Sequence, residues 1–320
     1  MAISALAHNT AADRMNQPTS AAGPAPIKRP ARAREMQDAL NHYIYHPLAW
    51  QLARVLAPTP ITPNMVSVFG GMLVVAAGFV YWSTVGPYWA LVGMMLHVSW
   101  HVVDGADGDL ARITGRSSPL GELVDGICDY TSHIVLYVLL ALVLTRTLGP
   151  GWAWFWTLAA GAGHIVQANH VEVQRRFYQH WTYGTPWLHN AQGTNTTLFR
   201  EKGGLGWLLR VVVAGYLRLA AGMSPNALRI DAAVTRAMKD DPAMLTRIRA
   251  EVQREQRPLL GLLRYLGPNP RAILLGLSMI AGSPLWYFIY LSVGLNLLLM
   301  LSVRLHDAAA GRVVARLELP

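Results

Sequence analysis

The stretch 104–129 reads DGADGDLARITGRSSPLGELVDGICD, and it carries six of the chain's 18 acidic residues: Asp104, Asp107, Asp109, Glu122, Asp125 and Asp129. Four of them fall into one spaced pattern, Asp104-x2-Asp107-Gly108-x2-Ala111-Arg112-x8-Gly121-x3-Asp125-x3-Asp129. Asp104 and Asp107 are three apart and share one helix face; Asp125 and Asp129 are four apart, one turn along another helix. Gly121 lies one further turn back on that same face. The connection between the two helices is short and holds Gly115 and Pro119. Two antiparallel helices would therefore bring four carboxylates together. Gly108, Gly121 and Ala111 leave room for a ligand or for close backbone approach.

The runs on either side of this stretch are apolar. The chain of 320 residues is 52% hydrophobic and only 14% charged, where a soluble domain carries roughly 25% charge. Its mean hydropathy is +0.27. Six apolar spans are predicted, at 65–82, 87–107, 120–145, 152–172, 271–283 and 285–304. The fifth is short, and residues 259–266 are expected to help it. Thr62 and Pro63 supply the cap and first turn of the first span. Gly282-Ser283-Pro284 is the turn between the last two spans. The fold class expected is an all-α integral membrane protein with six transmembrane helices and an N-terminal interfacial amphipathic helix.

Charge sets the orientation. With both termini in the cytoplasm, the outer loops near 83–87, 146–151 and 282–285 hold Arg146 alone of the 27 basic residues, as the positive-inside rule requires. The net charge of +9 then follows membrane topology and gives no argument for nucleic acid. The only cysteine, Cys128, excludes an intramolecular disulfide and a Cys-rich zinc site. The first residues lack the apolar core of a cleaved signal. The layout expected is a disordered cytoplasmic tail over 1–35, an interfacial helix over 36–63 kinked at Pro47, and four spans with the motif over 64–172. A cytoplasmic and interfacial insertion follows over 173–268, then two spans over 269–304 and a cytoplasmic tail over 305–320. Within the insertion, 206–222 reads as an interfacial or re-entrant helix, and Asp240-Asp241-Pro242 opens a solvated helix running to about Arg254.

Ionised acids in a membrane segment are costly and mark function. An oxygen-rich cluster suits hard cations, Mg²⁺ or Mn²⁺ ahead of Zn²⁺, and two such ions bridge a pyrophosphate well. A structural cation site or the ion path of a transporter is the competing reading, and it gives no role to Gly108 or Arg112.

The eight fixed positions resemble the full signature of the CDP-alcohol phosphotransferase (CDP-alcohol phosphatidyltransferase) family. At about one in twenty per position, chance agreement is on the order of 10⁻¹⁰ per starting point. The resemblance implies that Asp104, Asp107 and Asp125 ligate one metal ion and that Asp104, Asp125 and Asp129 approach a second. It implies that Asp129 is the general base. It also implies that Gly108, Ala111 and Arg112 hold the CDP moiety, with Arg112 on phosphate. The reaction implied is the metal-dependent transfer of a substituted phosphate from a CDP-linked donor to an alcohol, with release of CMP, in phospholipid synthesis at the cytoplasmic face of the inner or plasma membrane. CDP-diacylglycerol is the favoured donor. CDP-choline or CDP-ethanolamine acting on diacylglycerol is the alternative, since the motif serves both. Arg175, Arg176 and Arg271 are candidates for an acceptor's own phosphate, against a simple role as cytoplasmic anchors. Family members are often dimers, so a homodimer is expected, with membrane lipids around it.

Outside the motif, Asp109 and Glu122 are expected to point away from the cluster as ordinary polar residues. Arg116 is placed equally as an anchor or a phosphate contact. His97, His101 and His133 fall near the acidic face and are expected to be buried, satisfied by backbone or water more often than by a carboxylate.

Overall fold

The computed structural model describes residues 33–185 and 223–319. Every regular element among the described residues is helical. The expected re-entrant stretch at 206–222 and the N-terminal tail up to residue 32 lie outside them.

A π turn, Asn41–Tyr45, leads into α1, His46–Leu56. Pro47 stands in the first turn of α1, directly after the π turn, and the helix runs on through both; the change of pitch lies where the sequence placed a kink. α2 runs Pro63–Ser83, and the hydroxyl of Thr62 accepts from the Met65 N–H at 3.3 Å, the predicted cap. α3 runs Pro87–Ile113. Gly115, at φ 67°, turns the chain after it, a conformation side chains rarely adopt.

α4, Pro119–Tyr183, is two helical limbs that meet at Gly149 (φ 73°, ψ 164°), followed by Pro150. The first limb starts where Ser118 Oγ accepts from the Gly121 N–H at 3.0 Å. At 1.5 Å per residue each limb is roughly 45–50 Å long, more than the roughly 30 Å hydrocarbon thickness. α5 (Pro225–Asp240) and α6 (Pro242–Gln256) follow, with Asp241 capping α6 through the Met244 N–H at 2.9 Å. This is the charged helix the sequence predicted. α7, Leu260–Tyr265, is separate from α8, Pro268–Ile280, because Gly267 and Pro268 interrupt the helix. Residues 259–266 thus do not lengthen the fifth apolar segment. α9, Leu285–Arg316, contains a π turn at Tyr290–Gly294.

α2, α4 and α9 are long and apolar enough to cross a membrane. Their outward faces carry exposed Phe69, Met72, Phe79, Ile134, Val138, Leu297 and Met300, a surface suited to lipid rather than water. The main core runs from Val74, Tyr81, Leu136 and Leu140 on α2 and the first limb of α4 to Phe177, Ile230, Leu275 and Phe288 on the second limb, α5, α8 and α9. A smaller apolar group seats α1 against α2 and α3 through Ala49, Ala53, Val66, Val103 and Ala106. A side chain at Gly93 would lie 2.5 Å from the buried Tyr81 ring, so α2 and α3 approach closely there.

Both α4 and α9 outrun the spans read from hydropathy, which ended near 172 and 304. The segment taken as a C-terminal tail is helical through Arg316 and buries Ala309, Ala310 and Val313. These extensions form the platform for α5 and α6. Trp181 donates to Asp231 at 3.0 Å, Asp307 takes the Asn226 backbone N–H at 3.1 Å, and Arg316 bridges Glu251 and Glu255. The segment before α1 is tied to the same platform. Tyr178 and Tyr183 donate to Glu35 at 2.7 and 2.6 Å, and Arg257 pairs with it at 2.7 Å.

Candidate active site

The four motif aspartates come from two helices that α2 holds together. Asp104 and Asp107 sit near the C-terminal end of α3, and Asp125 and Asp129 in the opening turns of α4. One carboxylate oxygen each from Asp104, Asp125 and Asp129 lies within 4.8 Å of the others. The carboxyls stand in two close pairs, Asp104 beside Asp129 and Asp107 beside Asp125. Asp107 is 6% exposed, and Ser67 from α2 donates to its Oδ2 at 2.5 Å. Asp129 Oδ1 accepts from the Trp100 indole N–H at 3.0 Å.

Carboxylates this close repel when ionised, most strongly out of water. Only shared protons or a bound cation relieve that. All the donors converging here are oxygens, the ligand set of a hard divalent ion, so the residues present fit the expected cations. Asp107 stands at the edge of the three-residue group and joins it through Asp125.

A cleft opens beside the pair Asp107 and Asp125. Its walls include Asn64 and Ser67 from α2, Gly108 and Arg112 from α3, and Gly121 and Glu122 from α4. Ala111 lines it too. A side chain at Gly108 would meet the Arg112 guanidinium at 3.5 Å, and one at Gly121 would meet Ser118 Oγ at 3.3 Å. The small residues of the motif thus stand where the cleft needs space, with the Arg112 guanidinium beside them.

Two expectations need correction. Asp109 is not an ordinary polar residue at a membrane edge: it is 1% exposed and forms an ion pair with Arg112. It thereby tethers the guanidinium at the cleft. Their three-residue spacing was the available signal; the burial was not legible. Glu122, expected to point away, lines the cleft, as does Arg116.

Arg175, Arg176 and Arg271 are not among the residues that line this cleft. Arg176 is exposed and pairs with Glu172 at 2.5 Å. Arg271 is 4% exposed and donates to Gln167 Oε1 at 3.2 Å. Arg175 lines a second cleft with Asp38, Asn41 and Arg264. Of the histidines, His133 Nδ1 pairs with the Asp129 backbone carbonyl at 2.8 Å, as expected of a backbone-satisfied residue. His97 Nδ1 and His101 Nε2 are buried without a hydrogen-bond partner, and neither ring joins the carboxylate group. Ser67 and Trp100 were not foreseen, because their contacts depend on how the helices pack.

Fold and site together define a helical membrane protein with a carboxylate cluster that could hold a metal ion beside a polar cleft. Residues 60–190 match the family model described as CDP-alcohol phosphatidyltransferase, and that segment holds the whole motif. Ethanolaminephosphotransferase 1 of Pongo abelii is 30% identical over 124 residues, covering 34% of this chain and 30% of the relative. Choline/ethanolaminephosphotransferase 1 of Arabidopsis thaliana is 31% identical over 129 residues, covering 38% and 32%. Cholinephosphotransferase 1 of Rattus norvegicus is 28% identical over 142 residues, covering 39% and 35%. The chain spans about a third of the length of these curated relatives.

Proposed function

We propose that this protein is a CDP-alcohol phosphotransferase that moves a substituted phosphate from a CDP-linked donor to an alcohol and releases CMP. The observation that carries the reading is the gathering of the Asp104, Asp125 and Asp129 carboxyls within 4.8 Å of one another beside a cleft walled by Asp107, Gly108 and Arg112. Two divalent cations, Mg²⁺ or Mn²⁺, would be held by Asp104, Asp107, Asp125 and Asp129, and when bound would neutralise pyrophosphate charge. Gly108 and Ala111 admit the nucleotide close to the backbone of α3. Arg112, steadied by Asp109, meets a phosphate oxygen. Asp129 takes the proton of the acceptor hydroxyl. The hydroxyl oxygen bonds to the β-phosphorus as the bond to the CMP oxygen breaks. The work of these residues is positioning and charge stabilisation.

The relatives' names direct the donor toward CDP-ethanolamine or CDP-choline, with diacylglycerol as acceptor. A CDP-diacylglycerol donor with a phosphorylated acceptor is the second reading, and it rests on Arg175, whose Nε is buried without a partner at the second cleft. On either reading the bundle has six spans with both termini and the carboxylate cleft on the cytoplasmic side, and α1 lies in the interface. Dimerisation and contact with membrane lipids belong to the same proposal. The test is CMP release by purified protein in lipid, offered each donor separately against diacylglycerol and against phosphorylated alcohols. Turnover of CDP-ethanolamine or CDP-choline with diacylglycerol supports the first reading. Turnover of CDP-diacylglycerol alone replaces it with the second.

A further inference from the structure

We infer that Trp100 is a positioning residue for Asp129: its indole N–H, reaching from α3 to Asp129 Oδ1 at 3.0 Å, fixes the angle at which that carboxylate meets the reacting hydroxyl. The inference rests on the reading of Asp129 as the base.

Trp100 is 7% exposed. A buried indole N–H is a donor only and needs an acceptor. Here it is committed to a carboxylate of the cluster. Trp100 lies one helical turn before Asp104, whose carboxyl stands beside that of Asp129, so α3 brings both the indole donor and a second carboxyl to the Asp129 side chain. The ring itself is fixed on its other sides. His101 packs on it with centroids 4.6 Å apart, and His133 meets it edge-on at 4.8 Å. On the α2 side Gly70 makes the slot: a side chain there would come within 3.4 Å of Trp100 Cδ1. His133 in turn holds the Asp129 backbone carbonyl. The carboxylate is thus held at side chain and backbone by residues with no place in the cleft wall.

A group held this way should govern rate more than binding. With Oδ1 fixed, the carboxylate cannot swing, and its second oxygen is presented at a set angle. Small misplacements of reacting groups cost rate steeply. Trp100 does not line the cleft where the nucleotide is proposed to bind, so donor affinity should not depend on it.

The test compares Trp100→Phe with the wild type and Asp129→Asn, as full chains purified in lipid. Trp100→Phe keeps a buried ring and removes the donor. We expect its kcat to fall about tenfold, with the donor KM and the Mn²⁺ dissociation constant within about twofold of wild type. Its melting temperature should be unchanged. Trp100→His, which retains a ring N–H, should recover part of that loss. Wild-type kcat in Trp100→Phe, with Asp129→Asn inactive, overturns the inference and leaves the base intact. Full turnover by Asp129→Asn removes both. A fall in Mn²⁺ affinity or melting temperature that accounts for the rate makes Trp100 merely structural and also overturns the inference. Should Trp100→Phe not fold, Gly70→Val crowds the indole from α2, and an undiminished kcat in that variant is equally fatal.

Discussion

Asp107 shows how a motif residue depends on a neighbour that the motif does not contain. Ser67 donates to it at 2.5 Å from a different helix, and a buried carboxylate that loses such a donor is left short of a partner at a cost of about 1–3 kcal/mol. Ser67→Ala should therefore raise the divalent-ion concentration needed for half-maximal activity several-fold while the protein stays folded; titration with Mg²⁺ and Mn²⁺ measures it. Asp104→Ala removes one of the three carboxylates that gather with Asp125 and Asp129. Its expected outcome is loss of divalent-dependent donor binding, read by calorimetry with CDP. The clustering of Asp104, Asp107, Asp125 and Asp129 was legible because helical periodicity places residues three and four apart on one face. The Ser67 and Trp100 contacts were not. They join residues 40 and 29 positions apart, and only the packing of α2, α3 and α4 brings them together.

At the level of elements, the tight approach of α2 and α3 rests on Gly93. Tyr81 is buried at that contact, and its ring cannot bend away as a methionine would. Gly93→Ala should destabilise the protein by about 1–3 kcal/mol through overpacking, measured as a lower melting temperature. The segment before α1 offers a pH test. Partial burial pushes the Glu35 carboxyl up, but hydrogen bonds from Tyr183 and Tyr178 and the Arg257 charge outweigh it and hold the group below the ordinary glutamate value of 4.5. A depressed carboxyl contributes stability above its unfolded value, and that contribution is lost as pH falls through the folded value. Wild-type stability should therefore drop below about pH 4.5, and Glu35→Gln should be less stable at neutral pH and show a shallower acid decline. Helix starts at Thr62 and Asp241 were readable from capping chemistry. The Glu35 ties were not, since its partners lie more than 140 residues away. The helix ends beyond 172 and 304 were missed for a related reason: hydropathy marks where a helix leaves lipid, whereas α4 and α9 continue by packing against α5 and α6.

For the whole molecule, the packing of the N-terminal segment sets a boundary. Residues from Arg34 onward join the platform, through Glu35 and through Asp38, which accepts from Asn269 at 2.8 Å. Removal of residues 1–33 should leave activity nearly intact, whereas removal through residue 38 should lower both stability and activity. Activity and melting curves of the two truncations separate these cases.

The central claim is that the paired aspartates form a cation-dependent centre for CMP release. The most direct measurement is CMP release from CDP-ethanolamine, CDP-choline and CDP-diacylglycerol by purified protein in lipid. Each donor is offered with its acceptors, with and without Mg²⁺ or Mn²⁺, alongside Asp104→Ala and Asp129→Asn. The account predicts release with at least one donor that stops on chelation, is abolished in both variants, and leaves CDP binding intact in Asp129→Asn. Release that persists under chelation, or that survives in both variants at the wild-type rate, would contradict it.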